Sequence, residues 1–155
     1  MNRKKSFGLM KIACAITFVL GVVLFGVVAP MIVLNLPEGG LFTHSAVPEL
    51  IYVEAVGALC FLSLWQAWKI CREIGRDNSF SRENAKSLKR IARYMVAACV
   101  MMAAGAATCV ITRNRVLFLA VLGTSIALIF ALFAQAMAQL IESGARLKDE
   151  NDLTI

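Results

Sequence analysis

A chain of 155 residues has room for one ordinary domain, but 59% of these residues are hydrophobic and 17% are charged, with a mean hydropathy of +0.74. That composition excludes a water-soluble globular protein and makes the lipid bilayer the expected solvent for most of the chain. The net charge of +6 would suit nucleic acid, yet in a membrane protein the position of the charges matters more than their sum, and direct nucleic-acid binding is not expected.

A bilayer core about 30 Å thick takes roughly 20 apolar residues per helix. The first such run, 12–34, carries no charge and follows Arg3, Lys4, Lys5 and Lys11. It is longer than the apolar region of a signal peptide, about 7–15 residues. It also ends in Pro30-Met31-Ile32-Val33-Leu34 rather than a small-residue cleavage site, which predicts a retained anchor. Pro30 deprives the Gly26 carbonyl of its helical donor and predicts a kink near the outer end. Residues 35–49 hold Pro37, Pro48, the Gly39-Gly40 pair and His44 without any Lys or Arg, the signature of a connecting loop. The second span, 50–70, has Tyr52 near its start and Trp65 and Trp68 near its end, at the two headgroup levels.

Residues 71–90 form a polar, basic loop in which Gly75 is placed to end one helix and Ser81 to cap the next. Ala85, Leu88, Ala92 and Met95 recur at helical spacing, so the loop feeds an amphipathic helix that becomes the third span, 91–111. Thr112 to Arg115 is a short turn into the fourth span, 116–140. Gly144 and a charged tail within 141–155 close the chain. Of the sixteen Lys and Arg residues, four lie at or before Lys11, none in the first loop, eight from Lys69 to Arg93, two in the short turn and two in the tail. Basic residues resist translocation, which predicts that the N-terminus, the central loop and the C-terminus are all cytoplasmic. The expected fold is an all-α integral membrane protein: a single domain forming a four-helix transmembrane bundle, N-in and C-in.

Within the spans, Gly123, Ala127, Ala131, Gln135 and Gln139 recur every four residues on the fourth helix, and Cys99, Ala103 and Ala107 on the third. Small residues let backbones approach, and amides can bond across the contact, so these stripes read as helix packing. A polar solute path past Gln135 and Gln139 is the other reading. Glu54 is the one formal charge well inside a span, about 6 Å from its outer edge, where a carboxylate can snorkel or protonate. As an intramembrane acid it is a candidate site, although no deeper titratable group continues a proton path from it.

The five cysteines, Cys14, Cys60, Cys71, Cys99 and Cys109, show no spacing of a disulfide framework. Cys14, Cys71 and Cys99 lie near inner helix ends, where three thiolates would suit a soft metal. Without a Cys-x-x-Cys pair or a nearby histidine they are expected to be reduced, apolar packing residues, and no metal or cofactor is expected. No nucleophile elbow, phosphate loop, His-Glu-x-x-His or catalytic carboxylate pair occurs, so no enzyme is expected. One internal echo stands out: Gln66-Ala67 precedes Glu73 and Gly75 as Gln135-Ala136 precedes Glu142 and Gly144, which would fit a duplicated hairpin.

Two polar segments carry a resemblance: Gly75-Arg76-Asp77-Asn78-Ser79-Phe80-Ser81-Arg82-Glu83-Asn84-Ala85-Lys86-Ser87-Leu88-Lys89-Arg90-Ile91-Ala92, and Leu147-Lys148-Asp149-Glu150-Asn151-Asp152-Leu153-Thr154-Ile155. With them, over nearly its whole length, the chain resembles the bacterial Domain of Unknown Function 2975 family. Its members have four predicted spans, a Gly-x-x-x-x-Phe-Ser loop and a Glu-Asn-Asp-Leu-Thr-Ile tail. The resemblance implies a multi-pass protein of the bacterial cytoplasmic membrane. Genes of the family often neighbour one for a small helix-turn-helix regulator, which implies a membrane partner that binds or sequesters a cytoplasmic transcriptional regulator.

The residues placed to do so are Phe80, Ser81, Asn84, Lys89 and Arg90 in the loop and Glu150, Asn151, Asp152, Leu153 and Ile155 in the tail. The tail alternates acidic and apolar groups, as a docking peptide does, or is simply a solvated end. A second class of function is a small transporter or channel subunit using Glu54 and the glutamine stripe, which would need a homo-oligomer because four helices make a narrow conduit. A third is a basic loop held on anionic lipid at about 1 kcal/mol per basic residue.

Overall fold

The computed structural model describes residues 3–35, 46–74, 81–112 and 117–152. Helix α1 (Arg3–Val23) runs through a π-helical turn (Leu24–Val28) into α2 (Ala29–Leu34), and α3 (Ala46–Ile74), α4 (Arg82–Thr112) and α5 (Leu117–Asp152) follow. Four segments are long and apolar enough to cross a membrane: Lys11–Leu34, Val47–Ile74, Arg82–Ile111 and Leu117–Leu147.

The disturbance expected at Pro30 takes the form of the π-helical turn before it. The Ala29 N–H reaches back to the Leu24 carbonyl, so the turn takes in one extra residue where proline cannot donate, and the helix continues. Asn35 then stops it. Its backbone N–H donates to the Met31 and Ile32 carbonyls at 3.2 Å, and its side-chain amide donates to Met31 O at 2.7 Å.

Several helices outrun the apolar stretches that announce them. Helix α3 begins at Ala46, which brings Pro48 and Glu49 into its first turn. Proline loses no helical bond there, and a carboxylate complements the helix N-terminus. The same helix ends at Ile74, directly before Gly75. Helix α4 is under way by Arg82, capped by Ser81, whose Oγ accepts the Asn84 N–H at 3.1 Å. Helix α5 passes straight through Gly144 and reaches Asp152. A glycine inside a helix costs about 1 kcal/mol, but Ala145 beside it is 3% exposed and keeps the last turns in contact. Most of the expected loop before the third span, and most of the expected tail, are therefore helical. At 31 and 36 residues, α4 and α5 are about 46 and 54 Å long, well beyond a hydrocarbon core of about 30 Å.

Contacts run from the α1–α2 segment to α3, from α3 to α4 and from α4 to α5, the last being the most extensive. Among the described residues α5 touches neither α3 nor α1, and α1 does not touch α4. Among the described residues the helices of the expected four-helix arrangement thus pack in chain order, each against the next. In a bilayer such an arrangement needs no further closure, because lipid tails are as apolar as leucine and no hydrophobic force would drive it.

Aromatic rings join α1 to α3. Phe61 meets Phe18 and Phe25 edge-on, at centroid distances of 5.6 and 6.2 Å, and the Phe25 ring lies over Gly57 so closely that a Cβ there would come within 2.6 Å of Cδ1. A tyrosine joins α3 to α4: the Tyr52 hydroxyl donates to the Met101 carbonyl at 3.0 Å. Its ring rests on Gly105, where a Cβ would lie 2.9 Å from Cζ. Replacing Gly57 or Gly105 by alanine forces a ring to move and is expected to cost about 1–3 kcal/mol. Gly123→Ala meets only the end of the flexible Met102 side chain and is expected to cost less. Thermal unfolding of the detergent-solubilised variants checks the order.

Candidate functional site

The α4–α5 contact is built from alanines. Ala85 and Ala92 of α4 and Ala127, Ala131, Ala134, Ala138 and Ala145 of α5 are each no more than 7% exposed, whereas Ala98, seven residues before Gly105, is buried on the side of α4 that meets Tyr52. On α5 these positions advance by alternating steps of four and three, the rhythm of a seam between two helices. The stripe of strict four-residue steps cannot follow it. Each step of four turns about 40° past a full circle, so four steps carry Gln139 to nearly the opposite face from Gly123. Gly123 therefore packs against Met102, and Ala127 and Ala131 are buried, whereas Gln135 and Gln139 are exposed. Ala103 and Ala107 on α4 are exposed by the same drift. Cys99 does reach the contact, with its thiol directed at the Thr124 carbonyl at 3.7 Å.

The seam runs on past the apolar stretches, so the polar ends of α4 and α5 lie side by side. Lys89 donates to Glu142 across them at 2.6 Å. Both side chains are more than 40% exposed, which places the pair in solvent and makes its contribution small. The outward face of α4 carries Lys86, Arg90 and Arg93, all exposed and spaced by four and then three residues, so that their charges form one stripe. At the same end α5 presents Arg146 and Glu150, both exposed, while Leu147, 63% exposed, lies about 180° around the helix from Ala138 and so faces away from α4.

The residues expected to meet a partner divide accordingly. Ser81 is occupied as the helix cap, and Asn84 is 1% exposed. Lys89 is engaged with Glu142, while Arg90 and Glu150 face outward. Asn151 and Asp152 belong to the last turn of α5. Phe80, Leu153 and Ile155 lie outside the described residues. Glu54 is exposed on α3. The buried acid is instead Glu49, 2% exposed in the first turn of that helix. Glu49, Val56 and Ser63 stand seven apart and are all buried, and Gln66, three further on, is 5% exposed with no hydrogen-bond partner for Oε1. Seven-residue spacing is the signal that would have found this row, together with Ala138 and Ala145.

The two halves of the sequence echo have different surroundings. Gln66 is buried and Gln135 exposed, and α5 continues through Gly144, whereas Gly75 lies outside the described residues. Of Cys14, Cys71 and Cys99, two meet: the Cys14 and Cys71 sulfurs are 3.3 Å apart. Cys14 also lines an open apolar groove of about 290 Å³ with Phe18, Leu64, Trp65 and Trp68. Among the described residues no group of three or more His, Cys, Asp or Glu is placed to hold a metal ion.

Two outcomes test this geometry. Ala138→Leu inserts a large side chain into the seam and is expected to cost about 1–3 kcal/mol in thermal unfolding, whereas Lys89→Ala is expected to leave stability close to the parent's. Mild oxidation by oxygen with a copper–phenanthroline catalyst is expected to join Cys14 to Cys71, two thiols giving up two protons and two electrons. Peptide mapping after alkylation reads the bond, and both thiols remaining alkylatable would contradict the pairing.

A search of the curated proteins and a search of the solved structures each return no match. A family profile described as "Protein of unknown function (DUF2975)" matches residues 10–155. Covering nearly the whole chain, that match shows that the protein belongs to the DUF2975 family.

Proposed function

We propose that this protein is a multi-pass component of the bacterial cytoplasmic membrane, N-in and C-in, whose projecting α4–α5 end binds a cytoplasmic helix-turn-helix regulator. One observation carries the reading. The two segments that set this sequence apart, 75–92 and 147–155, contribute the beginning of α4 and the end of α5, and the alanine seam holds those helices together as one exposed unit. The distribution of Lys and Arg supports the cytoplasmic placement of that unit. The kind of partner comes from the family resemblance.

The geometry changes how such a partner would be held. The end of α5 is helical to Asp152, so recognition uses the side of a helix pair rather than an extended peptide. The cationic stripe of Lys86, Arg90 and Arg93 selects an acidic surface. Burial of Asn84 and the capping role of Ser81 assign those two residues to the shape of the unit.

The test is capture of a small helix-turn-helix regulator, taken from beside the gene for this chain where one is encoded there, using intact protein in lipid nanodiscs. Charge reversal of Lys86, Arg90 and Arg93 to Glu is expected to weaken capture at least about tenfold, and removal of residues 146–155 is expected to weaken it further. Equal capture by all three proteins would refute the assignment. So would binding that depends only on the anionic lipid content of the disc, because the stripe would then serve headgroups.

A further inference from the structure

The amides of Gln135 and Gln139 stand on the outside of α5, in the part of the helix that the sequence places in the bilayer. Among the described residues neither has a hydrogen-bond partner. Each amide carries two donor hydrogens and an acceptor oxygen, and hydrocarbon satisfies none of them. They are not isolated. Ser125, Leu128, Leu132, Gln135 and Gln139 are all exposed and advance by alternating steps of three and four, a second helix-packing rhythm on the flank of α5 that the alanine seam leaves open. Among the described residues α5 packs against α4 alone, and this flank is exposed.

We propose that this face of α5 is a self-association surface, and that its occupant is α5 of a second copy running parallel to it. The argument rests on complementarity and on the reading of α5 as a membrane span. Two copies inserted with the same orientation are related by an axis along the membrane normal, which sets each residue of the stripe against its own counterpart. A glutamine facing its own copy is self-complementary, its N–H donating to the partner carbonyl oxygen while its own oxygen accepts in return. Leu128 and Leu132, 47% and 63% exposed in the single chain, pack between the serine and the amides. The arrangement leaves the Lys86, Arg90 and Arg93 stripe on α4 available to a partner.

The experiment places single cysteines on the full chain, in a background without its native cysteines, in native-like vesicles. Leu132→Cys is expected to form a symmetric disulfide-linked dimer on mild oxidation. Ile126→Cys and Phe133→Cys, about 100° around the helix, are expected not to. As a second measurement, needing no cysteine removal, photobleaching in vesicles counts copies of the otherwise native chain and of its Gln135→Leu/Gln139→Leu variant. Dimer affinity is expected to fall by about threefold for each amide pair lost, near tenfold in total. Leucines facing lipid alone would leave the count unchanged or raise it, and that result overturns the proposal. It is also overturned by equal crosslinking at Leu132, Ile126 and Phe133, or by a protein monomeric at every lipid dilution. Resistance to alkaline extraction, read in parallel, distinguishes failure to associate from failure to insert.

Discussion

The approach of α4 to α5 along an alanine seam is the constraint on which most of this structure depends. Methyl groups at Ala92, Ala127, Ala131, Ala134 and Ala138 let the two backbones come close, and close backbones gain dispersion contacts that do not require water to drive them. The seam does not stop where the apolar sequence stops. Ala85 and Ala145 extend it into the polar ends, which is why a stretch with the composition of a loop and another with the composition of a tail are both helical. The Lys89–Glu142 pair lies outside that seam and decorates it. By choosing which face of each helix is inside, the seam also decides what is outside: cations on α4 at the polar end, and two amides on α5 within the apolar length.

The remaining joints use different means. Between α1 and α3 the contact is aromatic, with Phe18 and Phe25 around Phe61 and a glycine, Gly57, giving the Phe25 ring its seat. Between α3 and α4 a tyrosine crosses, resting on Gly105 and donating to a carbonyl of the facing helix. Each ring has its place because the opposing helix offers a residue without a Cβ. These joints link neighbours in sequence and do not close a ring, so large side chains such as Leu24, Ile111, Phe118 and Ile129 remain half or more exposed. In water such a surface would collapse or aggregate. In a bilayer it meets a solvent of its own polarity.

Chemical type alone is a poor guide to role in such a protein. Gln66 and Gln135 sit in the same short sequence pattern, yet one is enclosed against its neighbours and the other faces outward. Glu54 and Glu49 invert the expectation in the same way: the acid within the apolar run is exposed, and the one at its edge is buried. Membrane helices are apolar on every side, so hydrophobicity says little about which side another helix occupies.

The amino-acid sequence by itself determined the number of membrane-length helices, the proline-linked irregularity of the first, the cap at Ser81 and the family. Each of these depends on local composition, on local hydrogen bonding or on near neighbours in the chain. Only the tertiary structure decided that α4 and α5 run on beyond their apolar stretches, because the first turns of α4 and the last turns of α5 are held by contacts between helices rather than by local propensity. It also decided that the contact follows steps of four and three instead of strict fours, since 3.6 residues per turn carry any stripe of fours away from its partner. That same drift turns Gln135 and Gln139 outward, where no local pattern could have placed them.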